Sequence, residues 1–343
     1  MNTIFSHSDF YLCNVPTPSG YPQSQTHAGV FSYNGRVYLS TSPFPCPKES
    51  KLKIYTKAIL RKMTKGFLCP IVRGESFENP LIYIKDNKKN SFCLMQLSPL
   101  MEQPDPYYGY PAFNSDPDLY IEDDTIYVIN RAIFRTALTP GRNRDEYVIR
   151  YYLIKGLIDG EKFKYISTHL FYESNELSVS PCLTKYRGKY ILSNLFTNCY
   201  NDGYNFKSLQ CATFNNLEDI YQKLTWYKIN VDISEFIIWH MSIFTYQDKL
   251  YTIAACIKRG EPHRCYQMFG EFDDDIKNLH IYKTPLTDYN SYRGSAYVSK
   301  DGIFHLYSTT VYEKITNGKS VDGREVIYTQ MNFEDLIKKL KNI

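Results

Sequence analysis

Five segments of this chain repeat one pattern, and a fivefold repeat of strand pairs leaves few folds open. The segments start at His27 (HAGVFSYNGRVYLS), Asp116 (DPDLYIEDDTIYVI), Val179 (VSPCLTKYRGKYIL), His240 (HMSIFTYQDKLYTI) and Gly294 (GSAYVSKDGIFHLY). Each has a polar or small start, an apolar strand, a short turn and a second strand centred on a ring. The residue eleven places on is Tyr38, Tyr127, Tyr190, Tyr251 or His305. Turns such as Asn34-Gly35 and Asp301-Gly302 fall in register between apolar runs, the strongest short hairpin signal. Further on, Phe214–Ile220, Phe272–Ile276 and Met331–Leu336 each leave a strand through an acidic pair.

Radial repetition of strand units is the signature of a propeller, whose four-stranded blades take ~40–50 residues each. The repeats predict an all-β chain: one five-bladed β-propeller domain over 1–343, with blades starting near 27, 116, 179, 240 and 294. The last unit offers only three strand-like runs, Ser295–Ser299, Ile303–Tyr312 and Glu325–Met331. An open ring would leave bare sheet edges, so the apolar run Phe10–Val15 is expected to supply the missing outer strand. Phe333–Ile343 carries Leu336, Ile337 and Leu340 on one helical face and is expected to be a short surface helix.

Composition fits this fold. The 32 Tyr and 20 Phe suit strand surfaces, and tyrosine faces also suit stacking on sugar rings. A net charge of +4 is too mild for a nucleic-acid binder. No run approaches the ~18 apolar residues of a membrane span. Met1–Asp9 has neither a basic start nor an apolar stretch, so no signal peptide is expected and the product is cytoplasmic as synthesised. The nine cysteines are odd in number and form no CxxC pair; Cys93, Cys182, Cys211 and Cys256 sit in apolar runs, as reduced, buried thiols do.

In a propeller the first strand of each blade lines the central channel. Residues at the five starts (His27, Asp116, Val179, His240, Gly294) therefore gather at one mouth, with Asp118, Trp239 and Arg293 adjacent. The expectation is that His27, Asp116 and His240 converge, with Trp239 or Arg293 near. No cofactor is required by this reading, although the same three residues form a two-histidine, one-carboxylate set suited to a metal in the channel.

The run Ser115–Ile121 followed by Ile126–Arg131, together with the starts Ser178–Pro181 and Trp239–Ile243, resembles the blade openings of family 43 glycoside hydrolases and their five-bladed relatives. The resemblance spans roughly 27 to 335 as a blade pattern. It implies a general base on blade one, a pKa-tuning Asp on blade two and a general-acid Glu on blade three, because glycosidases need paired acids. Asp116 matches the blade-two position. His27 stands where the base Asp would be, and Val179-Ser180-Pro181 stands where the Glu would be. Glu173 and Glu176 lie just before the blade-three start and are expected to reach in, and Glu78, in Glu78-Asn-Pro, is expected to enter from the first blade's insertion. The catalytic candidates are thus Asp116, His27, Glu78, Glu173 and Glu176; His240, Trp239, Arg293 and Asp118 are candidates for binding substrate.

The expected activity is glycosidase-like, on an oligosaccharide or polysaccharide in the central pocket. A glycan-binding module without chemistry, such as a bacteriophage tail protein carried in the virion, is the first alternative; a protein-interaction propeller is the second. Lys51–Lys65, an insertion in blade one, carries Lys51, Lys53, Lys57, Arg61, Lys62 and Lys65 and no acid. Near the pocket rim it would favour an acidic glycan.

Overall fold

The computed structural model describes residues 3–17, 24–44, 79–86, 90–96, 100, 113–135, 147–198, 205–233, 235–261, 264–287, 289–316 and 319–342, with Thr56, Ile59, Leu60 and Met63. Those last four, all helical and exposed, are the described part of the basic insertion. The rest of the insertion and Glu78 lie outside the described residues.

Five antiparallel blades follow one another along the chain. Blade one is β2 (Ser24–Tyr33), β3 (Arg36–Phe44), β4 (Leu81–Lys85) and β5 (Phe92–Leu94). Blade two is β6 (Phe113–Glu122), β7 (Thr125–Arg135), β8 (Tyr147–Asp159) and β9 (Lys162–Ser174). Blade three runs through β10 (Ser178–Tyr186), β11 (Lys189–Asn198), β12 (Asn205–Phe214) and β13 (Trp226–Asp232). Blade four has β14 (Phe236–Tyr246), β15 (Lys249–Lys258), β16 (Cys265–Phe272) and β17 (Asn278–Ile281). Blade five has β18 (Ser291–Val298), β19 (Ile303–Thr316) and β20 (Lys319–Asn332). Its fourth strand is β1 (Tyr11–Leu12), where Tyr11 pairs with Tyr328 and Leu12 with Ile327. The N-terminal segment thus joins the last blade.

The innermost strands touch in a closed cycle, β2 to β6 to β10 to β14 to β18 and back to β2. Closure removes inner edges. Apolar residues on facing blade surfaces form one core per gap. Ile82 and Ile84 meet Ile126 and Val128 between blades one and two. Tyr120 and Leu153 meet Leu183 and Leu192 between two and three. Leu195 and Leu209 meet Ile238 and Met268 between three and four. Phe244 and Phe269 meet Phe304 and Leu306 between four and five, and Tyr307 and Val326 meet Leu39 and Tyr83 where the ring closes.

Helix α1 (Phe333–Lys341) is capped by the Asn332 side chain, which accepts from the Glu334 and Asp335 amides. Its Phe333, Leu336 and Leu340 bury against blades four and five, joining Phe5 from the N-terminal segment. It therefore seals the side of the gap it covers.

One pairing departs from the propeller plan. β13 leaves β12 after Ile229 and runs parallel to β17, Asn230 beside Asn278 and Asp232 beside His280. The outer edges of blades three and four are joined into one sheet of eight strands.

Candidate functional site

All five innermost strands break register near the same height: between Thr26 and Gly29, Ser115 and Asp118, Val179 and Cys182, Ile238 and His240, and Ser291 and Gly294. Such bulges re-aim side chains. At three of them a non-glycine residue takes left-handed backbone angles: His27 (φ 57°), Asp116 (φ 52°) and Ser180 (φ 52°). Residues held there cost on the order of 1–3 kcal/mol each, a strain that often marks a functional site.

These bulges correct the expected alignment at two blades. Ser180, not Val179, occupies the position of His27 and Asp116, since Val179 remains paired with Leu195 in the ladder. The cause is Tyr190, which follows its turn one residue sooner than Tyr38 does, so counting back from the ring slips by one. In blade five Gly294 is already back in register opposite Ser308, and the bulge holds Tyr292 and Arg293. The longer turn, where Gly302 N–H donates to Ser299 C=O, displaced that count.

His27, Asp116 and His240 do converge. His27 Nε2 lies 2.8 Å from Asp116 Oδ1, and His240 Nδ1 lies 3.5 Å from the same oxygen. All three are at most 2% exposed. Asp116 Oδ2 is engaged separately: Arg131 Nη2 lies 3.1 Å away and the Ser180 amide donates to it at 3.1 Å. Arg131 is itself held by donation to the Ser178 carbonyl at 2.8 Å. Outside this trio, His27 Nδ1 meets Ser42 Oγ at 3.0 Å, and His240 Nδ1 meets Ser180 Oγ at 2.8 Å. Tyr292 packs against both imidazoles, at ring separations of 5.1 and 4.5 Å. The Arg324 guanidinium lies 4.3 Å from the centre of the Tyr292 ring and donates to Thr26 Oγ1.

Burial by itself would raise the Asp116 pKa, but Arg131 and the two histidines outweigh it and hold the carboxyl well below the usual range. His240 goes the other way for a cation: burial dominates over the attraction of Asp116 and keeps its pKa well below that of a free imidazole. It is therefore neutral at physiological pH, and its Nε2 makes no hydrogen bond among the described residues.

The other predicted residues are placed as follows. Trp239 is buried, its ring 5.2 Å from His240, within a small core of Ala255, Ile257 and Cys265. Arg293 is fully buried and reaches across from blade five to Asp118 Oδ1 (3.0 Å) and the Pro117 carbonyl (2.9 Å). Gly29 presses on the same spot, where a Cβ would stand 3.1 Å from the Pro117 oxygen. Arg293 and Asp118 thus engage one another. Glu173 is opposite Arg150 on β9, the outermost strand of blade two, and its carboxylate pairs with Arg150 Nε at 2.6 Å. Three strand spacings of ~4.8 Å separate β9 from β6. Glu176 is exposed beyond the end of β9. The structure brings neither glutamate to Asp116.

Arg131, Ser180, Tyr292, Ser42 and Arg324 escaped sequence reasoning. Arg131, Ser42 and Arg324 lie on other strands than the first of a blade; only Ser180 and Tyr292 had a sequence signal, in the neighbouring starts.

A two-histidine, one-carboxylate cluster sits here, its three donor atoms all within 4.8 Å of one another. Bonds of roughly 2.0–2.2 Å from a divalent cation put neighbouring donor atoms about 3–3.5 Å apart. His240 Nδ1 stands at 3.5 Å from Asp116 Oδ1, within that range, while His27 Nε2 at 2.8 Å is at hydrogen-bond distance from it and would move back slightly to admit an ion. A neutral His240, and an ionised Asp116 whose Oδ2 takes the Arg131 contact, are the protonation states a metal requires.

The fold and the bulged centre define a five-bladed propeller of the kind found in glycoside hydrolases of families 43 and 117. Among solved structures, an N-acetylgalactosamine deacetylase from F. plautii, in complex with blood group B trisaccharide, is similar over 97% of both chains, with 14% identity and a TM-score of 0.66. A family 117 glycoside hydrolase of Zobellia galactanivorans matches 95% of this chain and 91% of its own, at 12% identity and TM-score 0.57. A thermostable family 43 glycoside hydrolase covers 92% and 93%, at 12% identity and TM-score 0.56. No protein-family model matches the sequence, and no curated protein does.

Proposed function

We propose that this propeller is a carbohydrate-active hydrolase that removes an acyl group from an acylated sugar, using a divalent metal held by His27, Asp116 and His240. The observation that carries this is the gathering of those three donor atoms within 4.8 Å of one another. A glycosidase of the usual kind needs two carboxyls flanking the scissile bond, roughly 5–9.5 Å apart. Among the described residues the central carboxylates are Asp116 and Asp118, and Asp118 is committed to Arg293. The similar deacetylase acts on an N-acetylated sugar, a reaction suited to a centre with one acid and two imidazoles.

A bound divalent cation supplies Lewis acidity, lowering the pKa of water and polarising an acyl carbonyl. The chain's own residues do the rest. Arg131 and the Ser180 amide fix the Asp116 carboxylate, so that only Oδ1 is presented. Ser42 orients His27 through Nδ1, and Ser180 orients His240. Tyr292 packs beside both rings and limits their rotation. In the net reaction water's oxygen joins the acyl carbon, the carbon–nitrogen or carbon–oxygen ester bond breaks, and the leaving atom takes a proton.

Purified protein should carry about one divalent metal, and chelation should abolish acetate release from N- or O-acetylated oligosaccharides. Asp116→Asn should lose the metal and lower turnover by roughly a thousandfold or more, the scale of several kcal/mol of transition-state stabilisation. Release of reducing ends without acetate, undiminished by chelation, would overturn the reading in favour of glycoside cleavage. Glycan binding with no turnover in the metal-loaded protein would make the propeller a recognition module.

A further inference from the structure

We propose that the cleft between blades three and four, at the hairpin end of β10–β11, is a second saccharide site selective for short acidic sugars. The carbohydrate reading of the centre guides the choice of a sugar, while the cleft's own side chains call for the acid.

The cleft exists because β13 crosses from blade three to blade four. That crossing closes the gap between the blades on the outside and leaves a cavity of about 680 Å³, within the size range of ligand pockets. One wall is a single face of blade three, fixed by register: Tyr186 opposite Lys189, Ile191 opposite Thr213, and Tyr227 on the next strand. The opposite wall is the turn Asp274–Lys277 of blade four. Asp273 braces that turn, accepting from the Lys277 and Asn278 amides at 2.7 and 3.0 Å. It holds Ile276 buried at φ 57°, a costly angle for a β-branched residue.

The chemistry is that of a sugar-acid site. The half-buried ring of Tyr227 gives the lining an aromatic surface of the kind on which a pyranose face stacks, backed by the buried Tyr186, Ile191 and Ile276. At the rim two cations are already neutralised: Arg187 pairs with Asp274 at 2.7 Å while lying 4.9 Å from the Tyr186 ring, and Lys277 pairs with Asp275 at 3.4 Å. Lys189 and Lys228 are exposed and form no ion pair among the described residues. On the wall face the lining therefore has one ammonium group in excess, Lys189, while Lys228, opposite Gln210, leaves β13 on the other face at the edge of the cleft. A neutral sugar would leave Lys189 unused; a uronate would meet it with its carboxylate.

Calorimetric titration with digalacturonate, with cellobiose and inorganic phosphate as control probes, tests this. Saturable, salt-weakened binding of digalacturonate is expected, with cellobiose and phosphate far weaker. Lys189→Ala should weaken it roughly tenfold, and Thr213→Trp, which fills the cleft from an exposed position, should abolish it. Asp116→Asn should leave it unchanged, which separates this site from the centre even if the centre proves to have another function. Absence of saturable binding, equal affinity in the lysine variant, comparable phosphate binding, or loss of binding in Asp116→Asn would each overturn the proposal.

Discussion

Asp116 and Asp118 stand two residues apart on one bulged strand, both buried, and the protein treats them oppositely. Asp116 faces Arg131, two imidazoles and the Ser180 amide, and stays ionised with its pKa held low. Burial dominates at Asp118: it outweighs one guanidinium, Arg293, the Leu183 and Leu119 amides and the Cys182 thiol, and pushes the pKa up to about 6. Each carboxylate has an arginine within about 3 Å. What differs is the kind of further group: two imidazoles stand beside Asp116, whereas Asp118 has only backbone amides and a thiol beyond its arginine. The first arrangement keeps an oxygen charged and available for a ligand; the second spends its charge on tying blade five to blade two. One strand thus supplies a chemical residue and a fastening residue from neighbouring positions.

The largest effect expected from breaking this comparison is at the fastening. Arg293→Met keeps much of the volume but strands Asp118 in the interior, and loss of one partner of a buried pair costs about 3–5 kcal/mol. Denaturant unfolding should show this. Adding Asp118→Asn should restore part of the loss, since the cost comes from an unmatched carboxylate. If the double variant is no more stable than Arg293→Met, the pair is not what joins the blades.

A smaller effect should appear with pH. Asp118's folded pKa lies above the ordinary 3.8, so its contribution to stability is fullest below about pH 4 and declines as pH rises through about 6. A rise of that size corresponds to roughly 2–3 kcal/mol. The stability of the native protein relative to Asp118→Asn should accordingly be that much greater at pH 4 than at pH 7. Asp116 has the opposite sign, with stability lost as pH falls toward its depressed pKa, and it is present in both proteins and so cancels. A pH-independent difference would show that the two carboxylates are not distinguished as described.

How far the sequence disclosed these features follows from the range of the interactions. Blades were legible because a hairpin is local: the turn residues and the alternation on either side lie within fifteen residues, and only closure by Tyr11–Leu12 required a distant partner. His27, Asp116 and His240 were legible because symmetry converts a shared repeat position into proximity. Ser180 was missed by one residue, and a slip of one reverses a strand's faces. Arg131 was missed because it comes from β7, where an arginine opposite Ser115 looks like any polar residue in a ladder. The β13–β17 crossing that makes the cleft joins segments almost fifty residues apart, with no repeat to announce it.

The smallest effect lies just outside the Asp116 cluster, at Ser42. Its Oγ meets His27 Nδ1 at 3.0 Å and so sets which nitrogen faces Asp116. Partners of this kind typically change metal affinity by about 10- to 100-fold, and a neutral hydroxyl belongs at the low end of that range. Ser42→Ala should therefore weaken metal binding roughly tenfold, about 1.4 kcal/mol, with little change in unfolding free energy. The variant's turnover should return to the native value when excess metal is added, because the ligands remain and only their orientation is loosened. A general loss of packing would not be rescued in this way. An unchanged metal affinity would mean that Ser115, whose Oγ is 3.5 Å from the same nitrogen, or the Asp116 carboxylate by itself, is enough to orient His27. The charged half of the comparison would then rest on Asp116 with no help from its surrounding hydroxyls.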